Sequence, residues 1–440
     1  MPTPFCHCQC KRCQVPGSVH CHSHPNCGAS RPRPLTSPAT FLEPQVIRTL
    51  ARLRADSGSH APSVAQLDRA IPGLVQIDAC FLANPYATTE VMTRLETIPA
   101  SELARMVAHY PSQVSVIAPK LAPHIGVPAE CLHLANGASE VIQGLLANIP
   151  GRLLLSLPTF SAYHEFAPGP VVTLQLEDTE DFRLNLDRLE AMVRLHSPDT
   201  VVIINPNNPD GGLIPHAELV AFVERVHSKV NQIIVDESFS HFASESPPMS
   251  LAPMVPEFPQ LVVVNSLSKS HGIAGFRLGY AVMNPERANA LRRTALWNIN
   301  AFAEWFCGLL GDPEFQKDYE LARRRYVRDT RALFTGLDAL PNIKAYPSAA
   351  NFALIELDRS AAEVVGALLT RHGIYVRDCG DKRGLDGHRF IRVAARTREE
   401  NRSVLRGLRA VLERPAIHPI AASFSQRDLR SDAPASARFG

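Results

Sequence analysis

Short, nearly continuous runs of Val, Ile and Leu recur through the middle of the chain, at Leu153–Leu157, Val171–Leu176, Val201–Ile204, Gln232–Val235 and Leu261–Val264. Apolar runs of this length, without strict polar alternation, are expected of strands covered on both faces, as in a parallel sheet. Between them lie stretches with apolar residues at helical spacing, such as Leu186–His196 and Pro215–Lys229. The alternation predicts an α/β fold, a mostly parallel sheet flanked by helices. After about Arg287 the pattern becomes helical, and Asn351–Leu357 and Phe390–Ala394 read as strands among helices, a smaller α+β C-terminal domain. The expected division is an extension over 1–40, an N-terminal arm over 41–75, a large domain over 76–290, a small domain over 291–414 and a flexible tail over 415–440.

With 440 residues and 45% hydrophobic content, the chain can bury the cores of two domains. A formal charge of +2 gives no warrant for a nucleic-acid partner. The lack of an apolar run of about eighteen residues gives none for a membrane span. Cys80, Cys131, Cys307 and Cys379 are scattered, as expected of reduced thiols in the cytoplasm. The first 42 residues differ in kind: they carry no acid and hold six of the ten cysteines, interspersed with histidines. Cys10-x-x-Cys13 and its neighbours offer zinc ligands, but the segment has too little apolar content to fold around a metal. Disorder is expected there, and no metal.

The chemistry is concentrated at the ends of the apolar runs. Ser266-Leu267-Ser268-Lys269 follows one run and is closed by Arg277; Asp236 ends a second run, and Asn208 follows a third. Ligands gather at the carboxyl ends of strands in open parallel sheets, so the three sites should converge. A lysine can form a Schiff base with an aldehyde if burial and a nearby cation keep its amine partly deprotonated. Ser266 and Arg277 suit a phosphate dianion. A carboxylate at Asp236 could keep a pyridine nitrogen protonated, and Asn208 could donate to a phenolic oxygen. Together these are the groups needed to hold and use pyridoxal 5′-phosphate (PLP). Taken singly, each has a bland explanation, such as a surface string, a helix cap or a turn. Coincidence would have to supply the order, the strand-end context and the Lys-to-Arg spacing at once.

On these residues the chain resembles the class I/II aminotransferases of PLP fold type I, from about Leu74 to Leu412, and in particular the branch containing histidinol-phosphate aminotransferase and threonine-phosphate decarboxylase. The resemblance implies further roles. Gly137, Ala138 and Ser139, in Asn136-Gly137-Ala138-Ser139-Glu140, would cup the cofactor phosphate at a helix start. Phe160, in Pro158-Thr159-Phe160, would stack on the pyridine ring. Tyr110 would reach the cofactor phosphate of a neighbouring subunit, which implies a homodimer. Arg392 would bind the substrate α-carboxylate, Arg377 a second anionic group, and Asn84 would touch the substrate, with Asn351 a similar candidate.

The chain also departs from that pattern. Asp236-Glu237-Ser238-Phe239 covers the place where many relatives carry a tyrosine, and Phe239 cannot donate a hydrogen bond. Loss of that donor should raise the pKa of the lysine–cofactor Schiff base. A phenylalanine here, Trp297-Asn298-Ile299-Asn300-Ala301-Phe302-Ala303, and Arg377-Asp378-Cys379 followed by Gly384-Leu385-Asp386 are all similar to the decarboxylase branch. The His-Gly-Gly motif of that branch is absent, and only His60-Ala61-Pro62 stands in a comparable place. The cofactor residues serve transamination and decarboxylation equally. The commoner activity across the resembling group favours an aminotransferase acting on an α-amino acid, with the decarboxylase as the alternative. A PLP-dependent cyclase or oxidase can share every cofactor residue; a non-catalytic module of the same fold is a further alternative, but its usual mark is a missing lysine or acid, and Lys269, Asp236, Asn208 and Arg277 are all present.

Overall fold

The computed structural model describes residues 43–57, 60–147 and 151–413. The cysteine-rich extension, the candidate zinc ligands and the C-terminal tail lie outside these residues. Among the described residues twelve strands form two sheets: β1 Ile77–Ala79, β2 Leu132–Asn136, β3 Leu153–Leu157, β4 Val171–Gln175, β5 Thr200–Ile204, β6 Gln232–Asp236, β7 Leu261–Ser266, β8 Leu278–Val282, β9 Ile343–Ala345, β10 Phe352–Leu357, β11 Ile374–Asp378 and β12 Phe390–Ala394. The larger sheet runs β2-β8-β7-β6-β5-β3-β4. Only β8 is antiparallel to its neighbours, so the fold is the mixed α/β, parallel-rich arrangement of PLP fold type I.

Burial explains the unbroken apolar runs. Val201, Ile203, Ile233, Val235, Leu261 and Val263 point into one helical layer, while Val202, Ile204, Ile234, Val262 and Val264 point into the layer on the opposite face. Successive side chains on a strand face opposite ways, so covering both faces requires apolar residues at both parities. The helix Leu186–His196 keeps its expected bounds and is started by Asn185, whose side chain accepts from the amides of Asp187 and Arg188 at 3.0 Å.

The smaller sheet runs β1-β11-β12-β10-β9. Three of its strands, β1, β9 and β11, carried no signal strong enough to be expected, since two are three residues long. β1 pairs with β11, Ile77 opposite Ile374, so the chain from residue 76 first adds a strand to the small sheet before entering the large one. The helix Glu43–Ala55 also packs on that side, burying Val46 and Leu50 in the small-sheet core. Arg54 fixes it there through Asp378 at 2.5 Å and Asp381 at 2.9 Å.

Candidate active site

Lys269, Asp236 and Asn208 come together as the strand order requires. β5, β6 and β7 are adjacent and parallel, with Ile204 opposite Asp236 and Asp236 opposite Val264. The amide of Asn205 donates to the Asp236 carbonyl at 2.8 Å and that of Glu237 to the Val264 carbonyl at 2.8 Å, so the pairing runs up to the turns that bear the functional groups. Lys269 sits in the short helix Leu267–Ser270 at the end of β7. Burial, then Arg392 and Arg277, push its ammonium down to about 8, against an opposing pull from Asp236. An amine in that range is partly deprotonated near neutral pH and able to attack an aldehyde.

Asp236 is buried, and its carboxylate accepts from the Tyr163 hydroxyl at 3.0 Å and the Ser238 amide at 3.0 Å. Burial raises its pKa, while these neutral donors oppose the shift. A pyridinium N–H placed against it would supply the positive charge that makes the ionised form favourable. Tyr163, fully buried, received no role from the sequence, because its partner is 73 residues away.

The proposed phosphate cup is closely fitted. A Cβ on Gly137, whose φ is +88°, would lie 2.6 Å from Arg277 Nη2, and one on Gly279 would lie 2.3 Å from the Ala138 amide nitrogen. Glycine is therefore what lets Arg277 and the strand β8 close on the helix Ala138–Ala147, where Ala138 and Ser139 offer first-turn amides. Ser266 is buried beside them, and the buried Ser268 hydroxyl has no protein partner. A phosphate, an aldehyde-reactive lysine and a buried carboxylate facing a ring nitrogen are the demands of PLP, and these residues meet them.

Phe160 is half-buried at the rim, with His60 6.2 Å from it between ring centroids. His60 is exposed to solvent on one side, and its pKa is lowered by partial desolvation first, then by Lys269 and Arg377. The N-terminal arm therefore does bring a histidine to the site, although the three-residue motif looked for in the sequence is missing. Phe239 turns away from the site, edge-on to Phe352 at 5.0 Å, and Phe352 in turn underlies the Arg392 guanidinium at 5.1 Å.

Arg392 is buried and donates from Nη1 to Asn208 Oδ1 at 2.8 Å and from Nη2 to the Cys80 carbonyl at 2.9 Å. Arg377 is also buried and lies 3.8 Å from Asp381. Asn84 differs from the expectation of a substrate contact. It is fully buried, its Oδ1 accepts from the amides of Tyr86 and Ala87, and its Nδ2 donates to the Ser270 carbonyl at 3.3 Å. Both ends of the amide are used to start the helix Pro85–Leu95 and hold it to the lysine turn. Asn351 donates to the Leu82 carbonyl at 2.9 Å, while its Oδ1 is buried without a protein partner. Tyr110 stands apart from all of these, 86% exposed and 5.3 Å from Trp297 between ring centroids.

Comparison with known proteins gives the family. The family model described as aminotransferase class I and II matches residues 109–408. The L-serine phosphate decarboxylase of Campylobacter jejuni is 39% identical over 378 residues, covering 83% of this chain and 96% of that protein. The L-serine phosphate decarboxylase of Sulfurospirillum multivorans is 37% identical, covering 84% and 97%. The solved structure of a decarboxylase from that organism superposes with a TM-score of 0.79 over 84% of this chain and 97% of that one. Histidinol-phosphate aminotransferase 2 of Nitrosococcus oceani is 30% identical over 84% of this chain and 97% of its own length. The chain belongs to the class I and II aminotransferase family, and PLP is its cofactor. No helix among the described residues is long and apolar enough to cross a membrane. Nor do the described residues contain a cluster of three or more histidine, cysteine or acidic side chains able to hold a metal ion.

Proposed function

We propose that this protein is a PLP-dependent decarboxylase of O-phospho-L-serine, releasing carbon dioxide and ethanolamine phosphate. The observation that carries this reading is the 39% identity to an L-serine phosphate decarboxylase along 96% of that protein's length. It replaces transamination, which rested on the frequency of activities and not on a residue. Phe239 and the buried Arg377 agree with it, the second as a partner for a phosphate on the far end of the substrate.

PLP supplies an electrophilic aldehyde and a ring that can take up the electron pair freed at the substrate Cα. The protein's share is placement. Asp236, held by Tyr163 and Ser238, keeps a proton on the ring nitrogen. Arg392 receives the α-carboxylate and Arg377 the phosphate, and two anchors at opposite ends of a three-carbon substrate fix which Cα bond stands perpendicular to the ring. Lys269 Nζ is positioned to return a proton to Cα in place of the lost carboxyl group. The exposure of Tyr110, remote from the Lys269 turn, supports its acting on a neighbouring subunit's cofactor and hence a homodimer.

The test is a single turnover of PLP-loaded enzyme with O-phosphoserine in the absence of any keto acid. The expected products are ethanolamine phosphate and carbon dioxide, with the cofactor returned unchanged. Conversion of the cofactor to its aminated form, with a keto acid released, would overturn the reading in favour of transamination.

A further inference from the structure

The loop after β11 closes one side of the site in a way that the assigned residues do not account for. It carries Lys382, whose Nζ donates to the Thr159 carbonyl at 2.9 Å and to Ser161 Oγ at 3.2 Å, on either side of Phe160. The loop is tightly seated there. Gly384, at φ +83°, lies so close to the segment before Thr159 that a Cβ would meet the Pro158 nitrogen at 2.8 Å. Its carbonyl accepts from Gln175 Nε2 at 3.1 Å.

Lys382, Arg377 and Arg383 line one cavity of about 220 Å³ together with Thr159, Ser161 and His164. The carboxylates on its wall are Glu165 and Asp381. Asp381 is drawn away by Arg54 at 2.9 Å, closer than its 3.8 Å approach to Arg377. An ammonium has three N–H groups. At Lys382 two go to uncharged oxygens, which satisfy donors without offsetting charge, and one is left over. Burial foremost, with Arg392 and Arg377 adding to it against an opposing pull from Cys379 and Asp381, pushes this amine down to about 8. A tie between a loop and a strand turn needs no charge. A dianion entering the cavity would meet Arg377 from the sheet and the remaining Lys382 N–H from the loop.

We propose that Lys382 is the second cation of the substrate-phosphate subsite, joining Arg377 and so selecting phosphorylated over unphosphorylated amino acids. This rests on the phosphoserine reading above, and the experiment separates the two. Holoenzyme, with the cofactor's own phosphate site filled, is titrated calorimetrically with inorganic phosphate, and KM is measured for O-phosphoserine and for serine. Lys382→Met removes the charge; Ser161→Ala removes an uncharged tie and leaves the charge. Lys382→Met should weaken phosphate binding and raise the O-phosphoserine KM by about 10- to 100-fold, the range of a lost charge-assisted hydrogen bond. Ser161→Ala should change either by less than about threefold, and serine should respond little to both. Equal losses in the two variants would make Lys382 a structural tie and overturn the proposal, as would no loss in either. If the wild type binds inorganic phosphate through Lys382 but does not turn over O-phosphoserine, the subsite stands and the substrate assignment falls.

Discussion

Asn208, Asp236 and Lys269 stand at the ends of three adjacent parallel strands, joined by main-chain bonds up to the functional turns. Arg377, Lys382 and His60 come instead from a strand end of the other sheet, a loop and the N-terminal arm, with Lys382 tied to Thr159, His60 beside the Phe160 ring and Arg377 lining the same cavity as Lys382. The first group is a floor whose geometry is inseparable from the large-sheet core. The second is a wall whose members could each change without disturbing that core. A floor of this kind serves any reaction that begins with an amino group on PLP, whereas the wall decides which substrate stays and which of its bonds is presented. That division fits a family in which one relative is named a decarboxylase and another an aminotransferase at 39% and 30% identity to the same chain.

The largest effect should follow from breaking the floor alone. Lys269→Ala removes the nucleophile and the proton carrier, and turnover of O-phosphoserine should fall by at least about 10⁴-fold. If floor and wall are separate, inorganic phosphate should bind the variant within about threefold of wild type, because the cations of the wall stay in place. Calorimetry and single-turnover product analysis on the same preparation check both halves. A collapse of phosphate binding along with turnover would show that the wall depends on the floor. Residual turnover near the wild-type rate would remove Lys269 from the chemistry altogether.

The floor was also the legible part of the sequence. A residue that ends an apolar run is placed by the strand, so Lys269, Asp236 and Asn208 can be read together from the order of residues alone. The wall has no such periodicity. His60 lies in an arm just ahead of the helix cap at Ser63, and its partner Phe160 is far along the chain. Lys382 sits in a turn whose seating depends on Gly384 approaching Pro158, a residue of the large domain. Asn84 is the converse case: a polar residue before Pro-Tyr looked like a pocket lining, but Asn before Pro is also a helix start, and capping took its Oδ1 while the distant Ser270 carbonyl took its Nδ2. The short strands β1 and β9 escaped because three residues are too few to show a period, and β1 in particular finds its pairing partner at the other end of the chain.

A smaller effect, of a different kind, should come from the wall. Arg377→Met keeps the length and much of the apolar stem while removing the charge. It should raise the KM for O-phosphoserine by about 10- to 100-fold and lower kcat as well, since Arg377 is one of the two anchors that hold the reacting bond perpendicular to the ring. Steady-state kinetics with O-phosphoserine and serine would show the phosphorylated substrate losing its advantage. Should KM rise with kcat unchanged, Arg377 would merely retain the substrate, and the wall would not decide which of its bonds is presented.

The smallest expected effect concerns titration within the floor's own sheet. His133, on β2, is buried with Nδ1 lacking a protein partner, and burial, helped by Arg292, pushes its pKa down to about 4. The unfolded chain takes up this proton below about pH 6.5 while the folded chain does not, so the residue costs stability as pH falls from 6.5 to about 4. The slope is about 1.4 kcal/mol per pH unit. The wild-type curve alone would hide it, because Asp210 and Glu237, pushed up to about 7 by burial, act in the opposite sense over part of the same window. The difference between His133→Leu and wild type isolates it. Urea unfolding should show the variant gaining about 2 to 3 kcal/mol on wild type between pH 7 and pH 4.5. His60, exposed at the wall, should give a shallower dependence when replaced in the same way. A pH-independent difference at His133, or a steeper one at His60, would mean that burial in the sheet is not what distinguishes the two regions.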